Sequence, residues 1–119
     1  MHSKHTLDCL VVGAGPAGLT AALYLRRFQR SVVVIDHGRS RALAIDWSNN
    51  FPGSPQGIAG HDLLQRLRAQ LADVQGEVIN SEVTTLQRQP QGGFAAPCGD
   101  HTWRAHTVLL ATGVVDTVP

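Results

Sequence analysis

The chain has 119 residues, 43% hydrophobic and 16% charged, which excludes a disordered or fibrous protein and allows one domain with its own core. Ten basic residues against nine acidic leave a formal charge of +1, so neither nucleic acid nor an anionic membrane is an expected partner. No apolar run approaches the roughly 20 residues that span a bilayer, and Met1-His2-Ser3-Lys4-His5 leads into a strand pattern without a signal-peptide core.

In chain order, Leu7 to Val12 reads as a short strand buried on both faces. It ends at Gly13-Ala14-Gly15-Pro16-Ala17-Gly18, and a helical pattern follows at once, with Ala17, Ala21, Leu25 and Phe28 on one stripe. Arg26, Arg27 and Arg30 suit the negative end of that helix's dipole. Ser31 to Asp36, with four consecutive β-branched apolar residues, is a second buried strand, which completes a right-handed βαβ unit. His37 to Ile58 loses all periodicity and is punctuated by Pro52, Gly53, Pro55 and Gly57; a connection this long is expected to be functional. A second helix is predicted from Gly60 to Gln75, its inner face made by Leu63, Leu64, Leu67, Leu71 and Val74, with Arg66, Arg68, Gln70 and Asp73 outside and Gly76 as its stop. Glu77 to Asn80 is a third strand. Glu82 to Arg88, Phe94 to Cys98 and His101 to Ala105 then form an antiparallel meander, turning at Gln91-Gly92-Gly93 and Gly99-Asp100, with Pro97 marking an edge. Thr107 to Ala111 is a last buried strand, closed by Thr112-Gly113. The fold class is therefore α/β: a Rossmann-like parallel sheet with a βαβ dinucleotide-binding unit and a three-stranded antiparallel meander.

Gly13, Gly15 and Gly18 fit G-x-G-x-x-G, placed between a strand and a helix. The first glycine permits the tight turn, the second lets backbone approach a pyrophosphate, and the third lets helix pack closely on strand. The helix amides then face the phosphates. Asp36 ends the next strand about twenty residues on, where a carboxylate accepts hydrogen bonds from a ribose diol and repels a 2′-phosphate, which argues against NADP at this site. A glycine turn followed by a surface aspartate is the plainer reading, but strand, motif, helix, strand and acid in order favour dinucleotide binding.

The glycine loop GAGPAGLTAALYL, the loop residues Asn50-Phe51-Pro52-Gly53 and the strand end Ala111-Thr112-Gly113, in this order along nearly the whole chain, resemble the thioredoxin-reductase-like branch of the FAD- and NAD(P)-dependent pyridine nucleotide-disulfide oxidoreductases. The resemblance implies that FAD is bound, with Gly13, Gly15, Pro16, Ala17 and Gly18 along its pyrophosphate and Asp36 at the adenosine ribose. It also implies Asn50 near the flavin, backbone of Val83 at the adenine, and Ala111, Thr112 and Gly113 closing over the cofactor. Two departures stand out: Asp36 replaces the family's usual Glu, and Arg39 to Ile45 lacks the usual Gly-Gly-Gln-Leu. By the same resemblance, 1–119 is the N-terminal part of an FAD domain, and the NAD(P)H-binding domain with its Cys-x-x-Cys and the C-terminal FAD segment are expected to be missing. The implied function is the FAD-binding portion of an NAD(P)H-dependent oxidoreductase, with no catalytic residue in this chain. A truncated, non-catalytic nucleotide-binding module is the alternative, and an FAD monooxygenase or amine-oxidase relative is disfavoured by the meander and the Asn-Phe-Pro-Gly loop.

Two cysteines in no paired pattern make a reducing cytoplasm the expected compartment. Cys9 is expected in the core and Cys98 partly exposed. The six histidines form no i, i+4 pair, and His101 and His106 fall on opposite faces if they share one strand, so no metal is expected. Trp47 and Phe51 either flank the flavin or anchor the long loop; Arg39 and Arg41 either reach a phosphate or lie in a solvated turn. Trp103 is expected to pack across strands. A sheet without its closing segment should expose apolar surface, which favours a homodimer or other self-association.

Overall fold

The computed structural model describes residues 6–37 and 60–112; expectations on Arg39, Arg41, Trp47, Asn50 to Gly53 and Gly113 lie outside them. The described elements are β1 (Thr6–Val12), α1 (Pro16–Arg27), β2 (Val32–Asp36), α2 (Gly60–Asp73), β3 (Glu77–Asn80), β4 (Gln87–Arg88), β5 (Phe94–Cys98) and β6 (His101–Leu110). All six strands form one sheet in the order β3-β2-β1-β6-β5-β4. β3, β2, β1 and β6 run parallel, and β5 and β4 continue antiparallel at one side.

Burial on both faces follows from the apolar runs of β1 and β2, whereas Thr107 to Leu110, expected as a buried strand, is exposed apart from half-buried Val108, because no described helix packs on the end of β6. Val32 and Val34 of β2 join Cys9 and Val11 of β1 in a cluster with Leu19, Ala22 and Leu23 of α1 and Leu63, Leu64, Leu67 and Leu71 of α2. The alternate residues Leu10, Val33 and Ile35 belong to a second cluster, with Ala96, Cys98, Trp103 and Ala105. Hydrophobic burial at about 25 cal/mol per Å² makes these clusters the main source of stability.

α1 begins at Gly15, with Pro16 at the first helical position, where its missing N–H leaves no extra orphan. Its buried stripe is Gly18, Leu19, Ala22 and Leu23, one register away from the expected Ala17, Ala21, Leu25 and Phe28. Ala17 is exposed, Leu25 only flanks the core and Phe28 caps the helix at 75% exposure. Small alanines allow either stripe by periodicity; the close approach demanded by Gly18 decides between them.

Both helices end in the same way. Gln29 (φ 60°) and Gln75 (φ 63°) take the left-handed conformation. Arg30 N donates to Leu25 O at 2.9 Å and Gly76 N to Leu71 O at 2.9 Å, while Gln29 N and Gln75 N donate to Arg26 O and Ala72 O. This is the Schellman arrangement, with glutamine where glycine is usual. The left-handed stop of α2 is Gln75 rather than the expected Gly76, and glycine is needed at 76 because a Cβ there would overlap the Leu71 side chain. Arg26 joins the two ends, donating from Nε to Val74 O (3.0 Å) and from Nη1 to Arg30 O (3.1 Å), a cation at two helix C-termini.

The meander differs from expectation in two places. Residues 81–86 form no strand, and pairing with β5 is limited to Gln87 and Arg88. The expected third meander strand and the last strand are one ten-residue strand, β6, in which His101–Ala105 pairs antiparallel with β5 and Arg104–Leu110 lies parallel to β1. Strand-compatible Thr102 to Leu110 contains no glycine or proline, so nothing breaks it. Gly99 (φ 59°) and Asp100 make the two-residue hairpin turn, positive φ at the first position as in type II′. Pro97 does not mark an edge strand as expected, since β5 lies between β6 and β4; it is tolerated because it falls beyond the two paired β4 residues, on the side preceding Gln87, where it owes no ladder hydrogen bond. Leu109 and Leu110, at the end of β6, are 40% and 64% exposed.

At the N-terminal edge of the sheet, Asp8 and Ser31 lock β1 to the start of β2. Asp8 N donates to Ser31 Oγ, Ser31 N donates to Asp8 Oδ2 (both 2.8 Å), and Cys9 N donates to Ser31 O (3.1 Å). The Ser31 backbone N–H holds the Asp8 carboxyl below its ordinary value of 3.8, helped by the Ser31 hydroxyl, Arg30 and His106 and opposed by desolvation. Because the folded-state value is depressed, this contribution is complete above about pH 4 and is lost as the pH falls through the folded-state value. Thermal unfolding measured from about pH 7 down to pH 3 should therefore show a steeper loss of stability for wild type than for Asp8→Asn. Equal slopes would show that the lock contributes nothing. Gly76→Ala should cost about 1–3 kcal/mol in urea unfolding, because Leu71 is fully buried and cannot step aside.

Candidate functional site

The parallel strands end together at one edge of the sheet, and the turn after β1 lies there between β2 and β6. Gly13 has φ +111°, a conformation that residues with L side chains rarely adopt, and its N–H donates to Ile35 O at 2.8 Å. On its other side Ala111 N donates to Val12 O at 2.8 Å. A Cβ on Gly13 would overlap Ala111 O and lie 2.7 Å from Ala111 C; one on Gly18 would overlap Gly13 O and lie 3.2 Å from Val11 Cγ1. The first and third glycines are thus required by the protein's own packing. Gly15, extended at φ −77°, is the N-cap of α1.

The N-terminus of α1 is open. Among the described residues no side chain caps it, Gly15 having none to offer, and its first turn holds no acidic residue. The first amides after Pro16, at Ala17 and Gly18, precede the first intrahelical bond, Leu19 N to Gly15 O at 3.0 Å. Uncapped donors at the positive end of a helix favour an anion, and here a Gly15 without a side chain leaves room for one.

Asp36 stands at the end of β2, on the face of the sheet that Val32 and Val34 present to the helices. Its backbone carbonyl accepts Ser81 N at 3.0 Å, and it lies opposite Asn80 of β3. Its carboxylate is not alone. Arg68 of α2 donates from Nη2 to Oδ2 at 2.9 Å, with side-chain exposures of 45% and 12%. The sequence placed Arg68 on the outer face of its helix, and it is exposed; its reach across 32 residues to Asp36 had no signal in the local pattern. The pair is neutral overall, so repulsion of a 2′-phosphate is weaker than Asp36 alone suggests.

The remaining expected positions divide. Ala111 is partly buried against the helical core and Thr112 is exposed beside the glycine turn. Val83 sits in the irregular 81–86 segment, partly buried against the second cluster. Gly13, Gly15, Pro16, Ala17, Gly18, Asp36, Ala111 and Thr112 therefore gather at one edge, and Asn50 and Gly113 lie outside the described residues.

The other reactive side chains are structural. Cys9 and Cys98 are free and buried, and burial pushes the Cys98 thiol up, so it is core rather than the partly exposed residue expected. His101 and His106 do share one strand; His101 packs edge-on to Trp103 with ring centroids 4.4 Å apart. Among the described residues no group of three His, Cys, Asp or Glu could hold a metal ion, and no helix is long and apolar enough to cross a membrane.

Comparison with known proteins adds a family to this geometry. Residues 7–119 match the family described as pyridine nucleotide-disulphide oxidoreductase. A thioredoxin reductase of Treponema pallidum is 35% identical over 109 residues, covering 89% of this chain and 35% of that protein. A ferredoxin–NADP reductase of Lacticaseibacillus paracasei is 30% identical over 122 residues, covering 95% and 36%. The crystal structure of thioredoxin reductase from Streptococcus pyogenes superposes with a TM-score of 0.88 at 29% identity, covering all of this chain and 38% of that one. The chain thus spans little more than a third of each of these relatives.

Gly13→Ala should destabilise the protein by about 1–3 kcal/mol from the forced positive φ alone, with the overlap on Ala111 adding to it. Urea unfolding checks this, and a variant as stable as wild type would contradict the tight turn.

Proposed function

Because the chain belongs to the pyridine nucleotide-disulphide oxidoreductase family, we propose that it is the FAD-holding part of a thioredoxin-reductase-like, NAD(P)H-dependent flavoenzyme. Thioredoxin reductases use FAD and NADPH, and the matched domain is the FAD-binding part. The single observation that carries the reading to these residues is the uncapped α1 N-terminus behind Gly13 and Gly15, with Asp36 on the neighbouring strand end.

In this reading the amides of Ala17 and Gly18 donate to the pyrophosphate, and Gly15 and Pro16 let it approach without a side chain in the way. The Asp36 carboxylate accepts from the ribose hydroxyls. Val83 lies toward the adenine, Asn50 toward the flavin, and Ala111, Thr112 and Gly113 close the site beside the β1 turn. When bound, the flavin supplies hydride and electron transfer between a nicotinamide and an acceptor. The chain's own residues bind and orient, and none acts as a catalytic group.

NAD(P)H binding and the acceptor belong to the whole enzyme, to which this chain contributes about a third. Relatives named as thioredoxin reductase and as ferredoxin–NADP reductase match it alike, so this third is common to different acceptors. The short span favours a second reading, a nucleotide-holding module without turnover of its own. Two free thiols fit a reducing compartment such as the cytoplasm, with neither nucleic acid nor membrane as a partner. Exposed Leu109 and Leu110 suit a homodimer or other self-association.

Purified protein should quench flavin fluorescence and gain thermal stability with FAD and much less with NAD. Asp36→Ala should weaken FAD about tenfold, the loss of roughly one charge-assisted hydrogen bond. Equal response to FAD and NAD, or an indifferent Asp36→Ala, would remove the assignment. Consumption of NADPH by the FAD-loaded protein would exclude the module reading.

A further inference from the structure

We propose that Arg68 is a positioning residue of the ribose subsite: it fixes the plane of the Asp36 carboxylate so that the free oxygen faces the adenosine diol. The inference rests on the FAD reading above and adds to it a residue outside the glycine motif.

Asp36 needs such a partner. The carboxylate torsion of aspartate is broad and roughly two-fold, so a side chain at the end of a strand does not by itself hold one plane. The backbone is fixed by the β2–β3 register and by Ser81 N on Asp36 O, but neither contact touches the carboxylate. Arg68 does, with one donor on one oxygen: Nη2 to Oδ2 at 2.9 Å. A charge-assisted contact of that length anchors Oδ2 and leaves Oδ1 with its acceptor capacity.

Stability gives little reason for the pair. With Arg68 at 45% exposure, solvent screens the attraction and ordering a long side chain offsets much of the rest. Asp36, at 12% exposure, is the more buried partner and the one on the nucleotide edge. Arg68 projects from α2, which packs against α1 and shares its core cluster, so the helix that seats the pyrophosphate and the one that orients the ribose acceptor form a single unit.

The test separates positioning from structure by comparing two ligands that differ only at the ribose: ADP, the adenosine diphosphate half of FAD, and 2′-deoxy-ADP. Dissociation constants are measured by calorimetry for wild type, Arg68→Gln, Arg68→Lys, Asp36→Asn and the double variant Asp36→Asn/Arg68→Gln, with thermal unfolding of each. Wild type should prefer ADP about tenfold, from one charge-assisted hydrogen bond. Arg68→Gln should lower that preference to about threefold or less at unchanged melting temperature, Arg68→Lys should restore part of it, and the double variant should resemble Asp36→Asn.

Equal weakening of both ligands in Arg68→Gln, with the preference intact, would assign Arg68 a structural role and overturn the proposal. Tighter ADP binding in Arg68→Gln would overturn it by making Arg68 a competitor of the ribose. FAD binding without any preference for ADP in wild type would overturn it while leaving the flavin reading standing. Absence of both FAD and ADP binding would overturn the two together.

Discussion

The contact of Gly18 with the carbonyl of Gly13 is the constraint from which the rest of the site follows. Only a hydrogen fits between helix and turn there, since a Cβ on Gly18 would overlap that oxygen. α1 is thereby pressed onto the end of β1, and its buried stripe becomes Leu19, Ala22 and Leu23. The same closeness places the helix N-terminus between the ends of β2 and β6, the strands on either side of β1. A crevice at the carboxyl ends of parallel strands, where the chain departs in two directions from a central strand, is where α/β sheets hold their ligands.

The two edges of the sheet are built for opposite purposes. At the N-terminal edge, polar groups satisfy one another: Asp8 with Ser31, the Thr107 hydroxyl on Asp8 O, and Arg26 across the last turns of both helices. At the carboxyl edge, among the described residues, the helix donors are uncapped and the Asp36 carboxylate is met by Arg68. Strand β6 connects this core to the antiparallel side of the sheet. Because it is unbroken, the register against β1 also fixes the position of the β5–β6 hairpin, so the meander is an extension of the parallel sheet rather than a second layer.

Local chemistry explains which features were legible in the sequence. Gly13 and Gly18 were, because each answers a requirement of backbone geometry at a fixed spacing, and Gly15 and Asp36 were legible in position, at the start of α1 and the end of β2. β1, β2, β3 and β5 were legible from apolar runs and turn residues, and the inner face of α2 from its leucines. The α1 stripe was not, because alanine is compatible with either register and the deciding contact is with Gly13. The continuity of β6 was hidden because Thr102 to Leu110 carries no breaker yet changes partners midway, antiparallel to β5 and then parallel to β1. The irregular 81–86 segment read as a strand by composition; with Thr84 reaching only the carbonyl of Pro97, it never enters the ladder.

Asp36 shows how far a motif can be read from its own residues. An acid at the end of the second strand is taken to accept a ribose diol and to repel a phosphate on the same ribose. The first role depends on where its oxygens point and the second on the net charge a phosphate meets. In the reading proposed above both depend on Arg68, which lies in another element, reaches Asp36 at 2.9 Å and was legible only as a solvated helix residue. An isolated carboxylate acts on a phosphate as a charge. A carboxylate with a guanidinium 2.9 Å away acts as a dipole, whose field falls off faster with distance and changes sign with direction. In the proposed ribose subsite, discrimination is therefore a matter of orientation before it is one of charge, and orientation is a property of the packed helix, not of the motif.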